Sequence, residues 1–479
     1  MRSFLSLLLA VCLFCLPHNV MAQNKLSSFA EYGANVHLGD NNPLWQVSNI
    51  HGAGSLRNNT YVRGGVFYKD TLKRWTFDTG VDVMVGAGLP KPSVCYIQQA
   101  YADVRYRWFG MFAGAREYPS EMLNQELSSG GLSWSGNSRP IPQVAIGVLD
   151  YVHLAPKVQF KIRLSFGWFT DGRYQQKHFK QLDAFSTYVK KAKYHHKSFY
   201  FLFGDTERGN WLFEMGFNLE EQFGGYKYGG VDQGDLGNGL KNYWRALIPQ
   251  KGGKESPLGE QLQYQGNLLG SEHFRLTYQN QKTALSLYYE NYFDDFSGMG
   301  KLNGLDGLYG FEYKLKQPAL ISGIVFEYYR STHQSGPLHG RDFSKAELTW
   351  GADDYYNNVW YPGWSHWGMG MGNPLNASPA YNQNGALCFL YNRVKAVHLG
   401  WSGHIARDWK YRAKLSFNRS WGTPFKPLLD IAENFSGFAE FQYTPHKLPG
   451  WLFSASIAGD SGDIYGDNFG VQVKVKKVF

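Results

Sequence analysis

The protein has 479 residues, 17% of them aromatic and 55 of them glycine, with a mean hydropathy of −0.39 and a formal net charge of +9. Beyond the first residues no apolar stretch reaches the roughly 18 residues of a spanning helix, which excludes a membrane protein built from helices. The basic residues form no block that would hold nucleic acid, so nucleic acid is not an expected partner. Abundant aromatic residues and glycine at modest hydropathy are instead typical of a transmembrane β-barrel, whose strands alternate apolar and polar side chains.

The N-terminal residues have the composition of an export signal. Arg2 supplies a positive charge, residues 4–16 are almost entirely apolar, and residues 20–22 (Val-Met-Ala) resemble a cleavage site. The apolar run is too short to cross a bilayer as a helix. We therefore predict a cleavable signal peptide at residues 1–22 and, at residues 23–479, a single outer-membrane β-barrel domain from a Gram-negative bacterium.

Several segments alternate in the way expected of a strand with lipid on one side and water on the other. In residues 158–169 every even-numbered position from Val158 to Trp168 is apolar, whereas Lys161 and Arg163 lie on the opposite face. The same alternation recurs at residues 75–85, 101–112, 274–278, 413–417 and 451–457, and in residues 101–112 it predicts Phe112 on the apolar, lipid-facing side. Several of these segments reach the roughly 9 to 11 residues that a tilted strand needs to cross a bilayer, so we expect contact with outer-membrane lipid.

The last residues predict a closing strand. Val471, Val473, Val475 and Phe479 share one face, and a final strand that ends in Phe resembles the signal read by the barrel assembly machinery. Lys477 interrupts this face but, near the rim, can extend its ammonium group to the headgroups. At roughly 25 residues per strand and turn, the chain accommodates about 18 strands. The expected fold is therefore all-β: an antiparallel outer-membrane barrel of about 18 strands.

Three segments lack the alternation of apolar and polar residues that is typical of strands. Residues 120–127 and 179–194 space their apolar positions as helices do, which predicts short helices or structured loops. Residues 224–259 are rich in glycine and poor in strand pattern, which predicts a long loop.

Residues 351–375, here called the aromatic loop, differ in composition from any core strand. Six of the thirteen residues 355–367 are Tyr or Trp, where the chain average predicts roughly two. Rings beside carboxylates and amides suit a polyhydroxylated ligand, because rings cover its CH faces and polar groups pair with its hydroxyls. An equally weighted alternative is a loop that packs against its own protein as a plug or an interfacial belt. The candidate carbohydrate-binding residues are Asp353, Asp354, Tyr355, Tyr356, Asn357, Asn358, Trp360, Tyr361, Trp364, His366 and Trp367.

A secondary set of candidates carries polar side chains near predicted strand ends: Glu290, Asp294, Asp295, His333 and Gln334. For the three carboxylates, a salt-bridge ladder in the lumen is the favoured alternative to a ligand or cation site. His333 and Ser335 would share a face if they lay on a strand, but no third catalytic member is identifiable. Because neither G-x-S-x-G nor H-E-x-x-H occurs, we do not expect an enzyme. The scattered histidines predict no metal site, and no cofactor is expected.

Two cysteines, Cys95 and Cys388, remain after the predicted signal peptide. They could pair in an oxidising compartment, but they lie far apart in the sequence, and we favour two isolated, packed thiols.

Several segments taken together resemble one family. Residues 127–142 resemble the characteristic L-S-S-G and N-A-R-P-I-P stretches of the Wzi capsule assembly proteins, with Ser138 where the family usually has Ala. Similar short matches follow in order at residues 288–290, 354–358 and 372–375. The resemblance covers nearly the whole chain after the signal peptide. The resemblance implies an 18-stranded outer-membrane barrel whose lumen is occluded by loops and helices. It also implies a lectin-like role in holding or organising capsular polysaccharide at the cell surface.

We therefore expect an outer-membrane protein that binds or organises capsular or other surface polysaccharide, with Trp360, Tyr361, Trp364 and Trp367 stacking on sugar rings. The alternative is an open, porin-like diffusion channel for small solutes, which polar lumen faces support equally well. A remote alternative is an outer-membrane hydrolase that depends on His333.

Overall fold

The computed structural model describes residues 25–90, 94–207, 209–231, 233–250, 265–294, 296–337 and 351–479. Eighteen antiparallel strands form one sheet. They are β1 (Leu26–Leu38), β2 (Asn59–Leu72), β3 (Trp75–Ala87), β4 (Cys95–Tyr106), β5 (Phe109–Ala115), β6 (Gln143–Ala155), β7 (Val158–Trp168), β8 (Lys193–Phe203), β9 (Trp211–Phe223), β10 (Asn267–Gln279), β11 (Thr283–Phe293), β12 (Gly307–Leu315), β13 (Gly323–Arg330), β14 (Val394–Ala406), β15 (Trp409–Gly422), β16 (Pro427–Tyr443), β17 (Trp451–Gly462) and β18 (Asn468–Val478). The predicted signal peptide lies outside the described residues.

The sheet closes on itself, because each strand pairs with the next and β18 pairs with β1. The closing register runs from Phe29 opposite Val478 to Leu38 opposite Phe469. Closure leaves no free strand edge, which is the condition for a sheet to cross a membrane. The expected all-β barrel of about 18 strands is confirmed.

The two faces of the wall differ as the alternation predicts. In β3, Val81 on the outer face is 51% exposed and its neighbour Asp82 on the lumen face is 0% exposed. In β7, Ile162 and Trp168 face outward, whereas Ser165 is buried in the lumen. An apolar outer face and a polar lumen face on the same strands are the arrangement of a membrane barrel.

One predicted segment, residues 101–112, is two strands rather than one. A tight turn at Arg107, which has a φ of 56°, separates β4 from β5. The turn shifts the alternation by one residue, so Met111 faces outward and Phe112, predicted on the lipid face, is buried in the lumen. The sequence pattern runs through the turn because Trp108 is exposed and apolar like a strand residue.

The two ends of the barrel differ in their connections. At one end, here called the turn end, the strands are joined by two to seven residues. At the other, the loop end, four long connections span residues 116–142, 169–192, 224–266 and 331–393. Short turns on one side and long loops on the other are the asymmetry of outer-membrane barrels, in which the long loops are extracellular. The opening of the barrel at the loop end is called the mouth below.

Aromatic side chains ring the outer wall near the turn end. Trp75 packs on Tyr106 with 4.9 Å between ring centroids, and Trp409 packs on Tyr443 at 4.7 Å. Such girdles lie at the level of the headgroups. Lys477 behaves as expected of a rim residue, since its Nζ donates to the carbonyl of Pro449 at 2.7 Å in the last turn.

The helices of the described residues lie in connections: α1 (Leu44–Val47), α2 (Gly172–His178), α3 (Leu240–Leu247), α4 (Phe296–Met299) and a 3₁₀ turn at Pro379–Tyr381. No helix in the described ranges is long and apolar enough to cross a membrane. Residues 224–250 form a loop, as predicted, and it contains α3. Cys95 and Cys388 are free thiols, but Cys95 is exposed and so is not packed as expected, whereas Cys388 is partly buried.

Of the two segments predicted as short helices or structured loops, residues 120–127 form a loop, and residues 179–194 form a loop only up to residue 187, after which a short strand (Tyr188–Lys190) and the start of β8 follow. In residues 120–127, the Asn124 side chain accepts hydrogen bonds from the backbone amides of Glu126 and Leu127. In residues 179–187, Asp183 accepts from the amide of Phe185 in the same way. Such local bonds satisfy the backbone in turn conformations and so compete with a helix.

Candidate functional site

Two loops meet inside the lumen, the aromatic loop and the serine-rich loop (residues 116–142). The Tyr356 hydroxyl donates to the Leu132 carbonyl at 2.7 Å, and Trp364 Nε1 donates to the Ser133 carbonyl at 2.8 Å. The Ser135 amide donates to the Met371 carbonyl at 2.7 Å. The largest buried apolar cluster among the described residues forms around these contacts and also includes side chains of other connections, so the loops together fill the lumen.

Buried carboxylates on the wall hold the serine-rich loop in place. Glu327 of β13 accepts hydrogen bonds from the Ser128 hydroxyl at 2.6 Å and from the Ser129 amide at 2.8 Å. Glu290 of β11 accepts from the Leu132 amide at 2.8 Å. The secondary candidate Glu290 therefore supports the loop that fills the lumen.

Six candidates of the aromatic loop are buried: Asp353, Tyr355, Tyr356, Tyr361, Trp364 and His366. Trp364 is 0% exposed and offers no face for a sugar to stack on. His366 Nδ1 donates to the Arg139 carbonyl at 2.9 Å, and its Nε2 lies 3.0 Å from the Thr170 hydroxyl. Burial lowers the pKa of His366 and raises the pKa values of Tyr355 and Tyr356 well above the ordinary range. In these six positions the loop acts as a plug.

The other five candidates are partly exposed: Asp354, Asn357, Asn358, Trp360 and Trp367. The Asp354 carboxylate accepts from the side-chain amides of Asn392 at 2.6 Å and Asn357 at 3.2 Å, and burial raises its pKa. The side chains of Asp354 and Asn357 therefore mainly hold the aromatic loop together. Trp360 and Trp367 are the members that combine a large ring with access from the mouth.

The secondary candidates lie around the plug. Gln334 is buried, and its side-chain carbonyl accepts from the Tyr355 amide at 3.2 Å. Asp294 accepts from the Tyr292 hydroxyl at 2.6 Å, and the Tyr292 ring packs on Tyr355. His333 is exposed at the surface. Asp295 lies outside the described residues.

His333 and Ser335 could form a catalytic pair only if both lay on one strand and shared a face. In the structure they do not lie on a strand. Gln334 and Ser335 both have positive φ, 47° and 60°, so the chain turns sharply between them. The Ser335 hydroxyl donates to the Asp353 carboxylate at 2.6 Å and is buried, whereas the His333 side chain is exposed.

Arg139 is a site residue that the sequence argument missed. Its guanidinium lies between two rings, 3.7 Å from the centroid of Tyr96 and 4.4 Å from that of Trp367. The side chain is buried, and burial lowers its pKa. Arg139 falls within residues 127–142, which were singled out for their resemblance to a family but not for chemistry.

A second missed feature is a small three-stranded sheet at the mouth, formed by Tyr188–Lys190, Tyr226–Tyr228 and Gly234–Asp235. Tyr228 stacks on Tyr188 with centroids 4.9 Å apart and planes 10° apart. Lys190 Nζ lies 4.9 Å from the centroid of Tyr228. On the opposite face, Lys227 Nζ lies 4.6 Å from the centroid of Trp360, so this sheet borders the aromatic loop.

A cavity of about 320 Å³ lies in the lumen and is lined by residues from both the turn-end half and the loop-end half of the wall. Its wall includes Arg105, Lys161 and Arg163 from the strands and Tyr118 and Trp134 from the serine-rich loop. In the described part of the chain, no group of three or more His, Cys, Asp or Glu side chains could hold a metal ion.

A closed 18-stranded antiparallel sheet whose lumen is filled by its own loops defines an occluded barrel of the outer-membrane type. No family model and no curated protein matches the sequence.

Among solved structures, the chain is similar to Wzi, an outer-membrane protein involved in group 1 capsule assembly in Escherichia coli and a carbohydrate-binding β-barrel. The TM-score is 0.55 at 11% identity, over 94% of this chain and 84% of that one. OccK5 (OpdH) of Pseudomonas aeruginosa gives a TM-score of 0.47 at 9% identity, over 95% and 98% of the two chains. OprD of the same organism gives 0.48 at 8% identity, over 95% and 93%. The expected resemblance to Wzi is confirmed at the level of the fold.

Proposed function

We propose that the protein lies in the outer membrane and binds or organises capsular or other surface polysaccharide at the mouth. One observation carries the proposal: the aromatic loop places buried aromatic side chains in the lumen and leaves Trp360 and Trp367 partly exposed. The similarity in fold to a carbohydrate-binding barrel supports it. The apolar outer wall and the placement of the long loops support a location in the outer membrane with the mouth outside.

The buried and exposed parts of the aromatic loop have different tasks in this proposal. The buried rings and their hydrogen bonds fix the loop, so that little ordering remains to be done when a ligand binds. The exposed rings of Trp360 and Trp367 stack on sugars, each with a contribution of about 1 kcal/mol. Binding of polysaccharide by a single barrel is therefore weak. It depends on the Trp360 and Trp367 rings being fixed in position before the ligand binds.

The test is binding of purified, detergent-solubilised protein to surface polysaccharide extracted from the cells that make it. Trp360→Ala with Trp367→Ala should weaken saturable binding about tenfold or more, because two stacking contacts are lost. Trp75→Ala is the matched control, since this exposed tryptophan lies at the turn end on the outer wall. Binding that survives in the double variant would move the site to other loops. A folded wild-type barrel that binds no polysaccharide would refute the proposal.

A second candidate function is a diffusion channel for small solutes, favoured by the cavity in the lumen, which is lined by charged side chains. The two functions predict different currents in a planar bilayer. A barrel filled by its loops should pass little steady current, whereas a channel should show a large and stable conductance.

We also propose that the protein is not an enzyme. The exposed position of His333 and the hydrogen bond that ties Ser335 to Asp353 support this. Turnover of lipid or glycan that disappears in His333→Ala would contradict it.

A further inference from the structure

Arg139 carries a buried charge for which the described residues provide no carboxylate partner. The residue is 6% exposed, and its Nη2 has no hydrogen-bond partner among them. The rings of Tyr96 and Trp367 attract the cation through their faces, but the N–H donors of Nη2 stay unused. Because a buried charge without a partner is costly, an anion that reaches Arg139 from the mouth would complete the site.

The loop that passes beside Arg139 crosses the mouth. This strap, residues 169–192, leaves the wall between β7 and β8. Asp183 in the strap pairs at 2.5 Å with Lys426, in the connection between β15 and β16, almost half-way round the sheet. The Trp367 indole Nε1 donates to the Thr170 hydroxyl of the strap at 3.2 Å, so the strap also rests on the aromatic loop.

The strap is positively charged toward the outside. Four of its cations are exposed, and no carboxylate within the described ranges pairs with them: Arg173, Lys177, Lys180 and Lys191. Its own two acids are already engaged. Asp171 is buried and accepts from the Trp367 amide at 3.1 Å, and Asp183 is paired with Lys426. The strap therefore places a positive potential over the mouth.

We propose that the polysaccharide bound at the mouth is anionic, with Arg139 binding a carboxylate of the polymer and the strap attracting the chain. The inference rests on the function proposed above. A planar guanidinium can bind a carboxylate by donating two parallel hydrogen bonds to it. A lipid headgroup is a poorer match, because the strap spans the centre of the mouth rather than the rim, where lipid is found. The stacked Tyr188 and Tyr228 beside Lys190 extend the same combination of ring and cation along the mouth.

The test compares surface polysaccharide extracted from the producing cells in two forms, native and with its carboxyl groups chemically reduced to alcohols. The wild type should bind the native form about tenfold or more tightly than the reduced form, because charge-assisted hydrogen bonds are lost on reduction. Arg139→Gln should bind both forms with the weaker affinity. Arg139→Lys, which keeps the charge but not the planar fork, should fall between.

Two further variants separate the contributions. Arg419→Gln is the matched control, since this half-exposed cation at the loop end is already paired with Glu433, and it should bind as the wild type does. Lys177→Gln, Lys180→Gln and Lys191→Gln together should reduce the dependence of native-polymer binding on salt, because exposed charges are screened.

The outcomes distinguish this inference from the proposed function. Equal wild-type affinity for both forms of the polymer would overturn the inference and leave polysaccharide binding intact. An equal loss for both forms in Arg139→Gln would reduce Arg139 to a packing role and would also overturn it. Tighter binding to lipopolysaccharide vesicles than to polysaccharide, lost in Arg139→Gln, would make the anion a lipid and contradict the inference. A folded wild-type protein that binds neither polymer would refute the proposed function itself.

Discussion

Trp364 and Ser133 are joined inside the lumen by a hydrogen bond of 2.8 Å from the indole Nε1 to the backbone carbonyl, although 231 residues separate them in the sequence. The bond connects the aromatic loop to the serine-rich loop at a point where Trp364 is completely buried. It therefore marks the place where two independent connections become one plug.

Trp364→Ala should loosen the plug. The change leaves a large cavity and an unpaired carbonyl, at a cost of about 3 to 5 kcal/mol. We expect a higher conductance in planar bilayers and a lower thermal unfolding temperature than in the wild type. Trp360→Ala, which removes a partly exposed ring from the same loop, is the control and should change neither. Unaltered conductance and stability in Trp364→Ala would mean that the plug does not depend on this contact.

Glu327→Gln should weaken the anchor of the serine-rich loop. The carboxylate accepts from the Ser128 hydroxyl, the Ser129 amide and the Tyr288 hydroxyl, the last at 2.6 Å. A Gln side chain turns an NH₂ group toward one of these donors in either orientation, which should cost about 1 to 3 kcal/mol. Urea unfolding would measure the loss.

The control for this change is Glu433→Gln, which breaks a half-exposed ion pair with Arg419. Exposed pairs contribute about 0 to 1 kcal/mol, so the unfolding midpoint should hardly move. Similar losses in the two variants would argue against a special role for Glu327.

The strap should lose its tie only in strong acid. The Lys426 ammonium group lowers the pKa of Asp183 to about 2, below the value of roughly 3.9 of an unfolded chain. A depressed pKa stabilises the folded form above the unfolded value, and this contribution is lost as pH falls through about 2. Pepsin cleavage beside the exposed Phe185 should therefore be slower in the wild type than in Asp183→Asn at pH about 4. The two rates should converge only as the pH falls below about 2, where Asp183 becomes mostly protonated. Equal rates throughout would show that the pair does not restrain the strap.

The orientation of the barrel can be tested by labelling whole cells. In a background without Cys95 and Cys388, Lys180→Cys places a thiol on the strap and Lys157→Cys places one in a two-residue turn. A membrane-impermeant maleimide should label the strap variant on intact cells and the turn variant only after permeabilisation, because long loops face outward. The reverse result would place the mouth in the periplasm.

The wall was predictable because its signal is local. Alternation in segments such as residues 158–169 fixes which side chains face lipid, and the structure places Ile162 and Trp168 there. The prediction from the same local pattern was wrong at Phe112. A two-residue turn there switches which of two successive side chains faces outward, without interrupting the run of apolar residues.

The site was only partly predictable, because composition does not separate a plug from a binding surface. Rings and amides suit both, and only the long-range contact with Ser133 shows that Trp364 belongs to the plug. Arg139 was missed for a similar reason. Its significance lies in the lack of a partner, and a missing partner can be recognised only once the neighbours in space are known.

The seam between β1 and β18 has a consequence for how the molecule is made. Phe29 pairs with Val478, so the first and last strands meet across almost the whole chain. Contacts of such high sequence separation are slow to form, because a long loop must be closed before any pairing compensates for the lost chain entropy. Until then β1 offers an open edge to other chains, which is a hazard of aggregation. Deletion of β18 would make that exposure permanent, so the integrity of the whole wall depends on its last eleven residues.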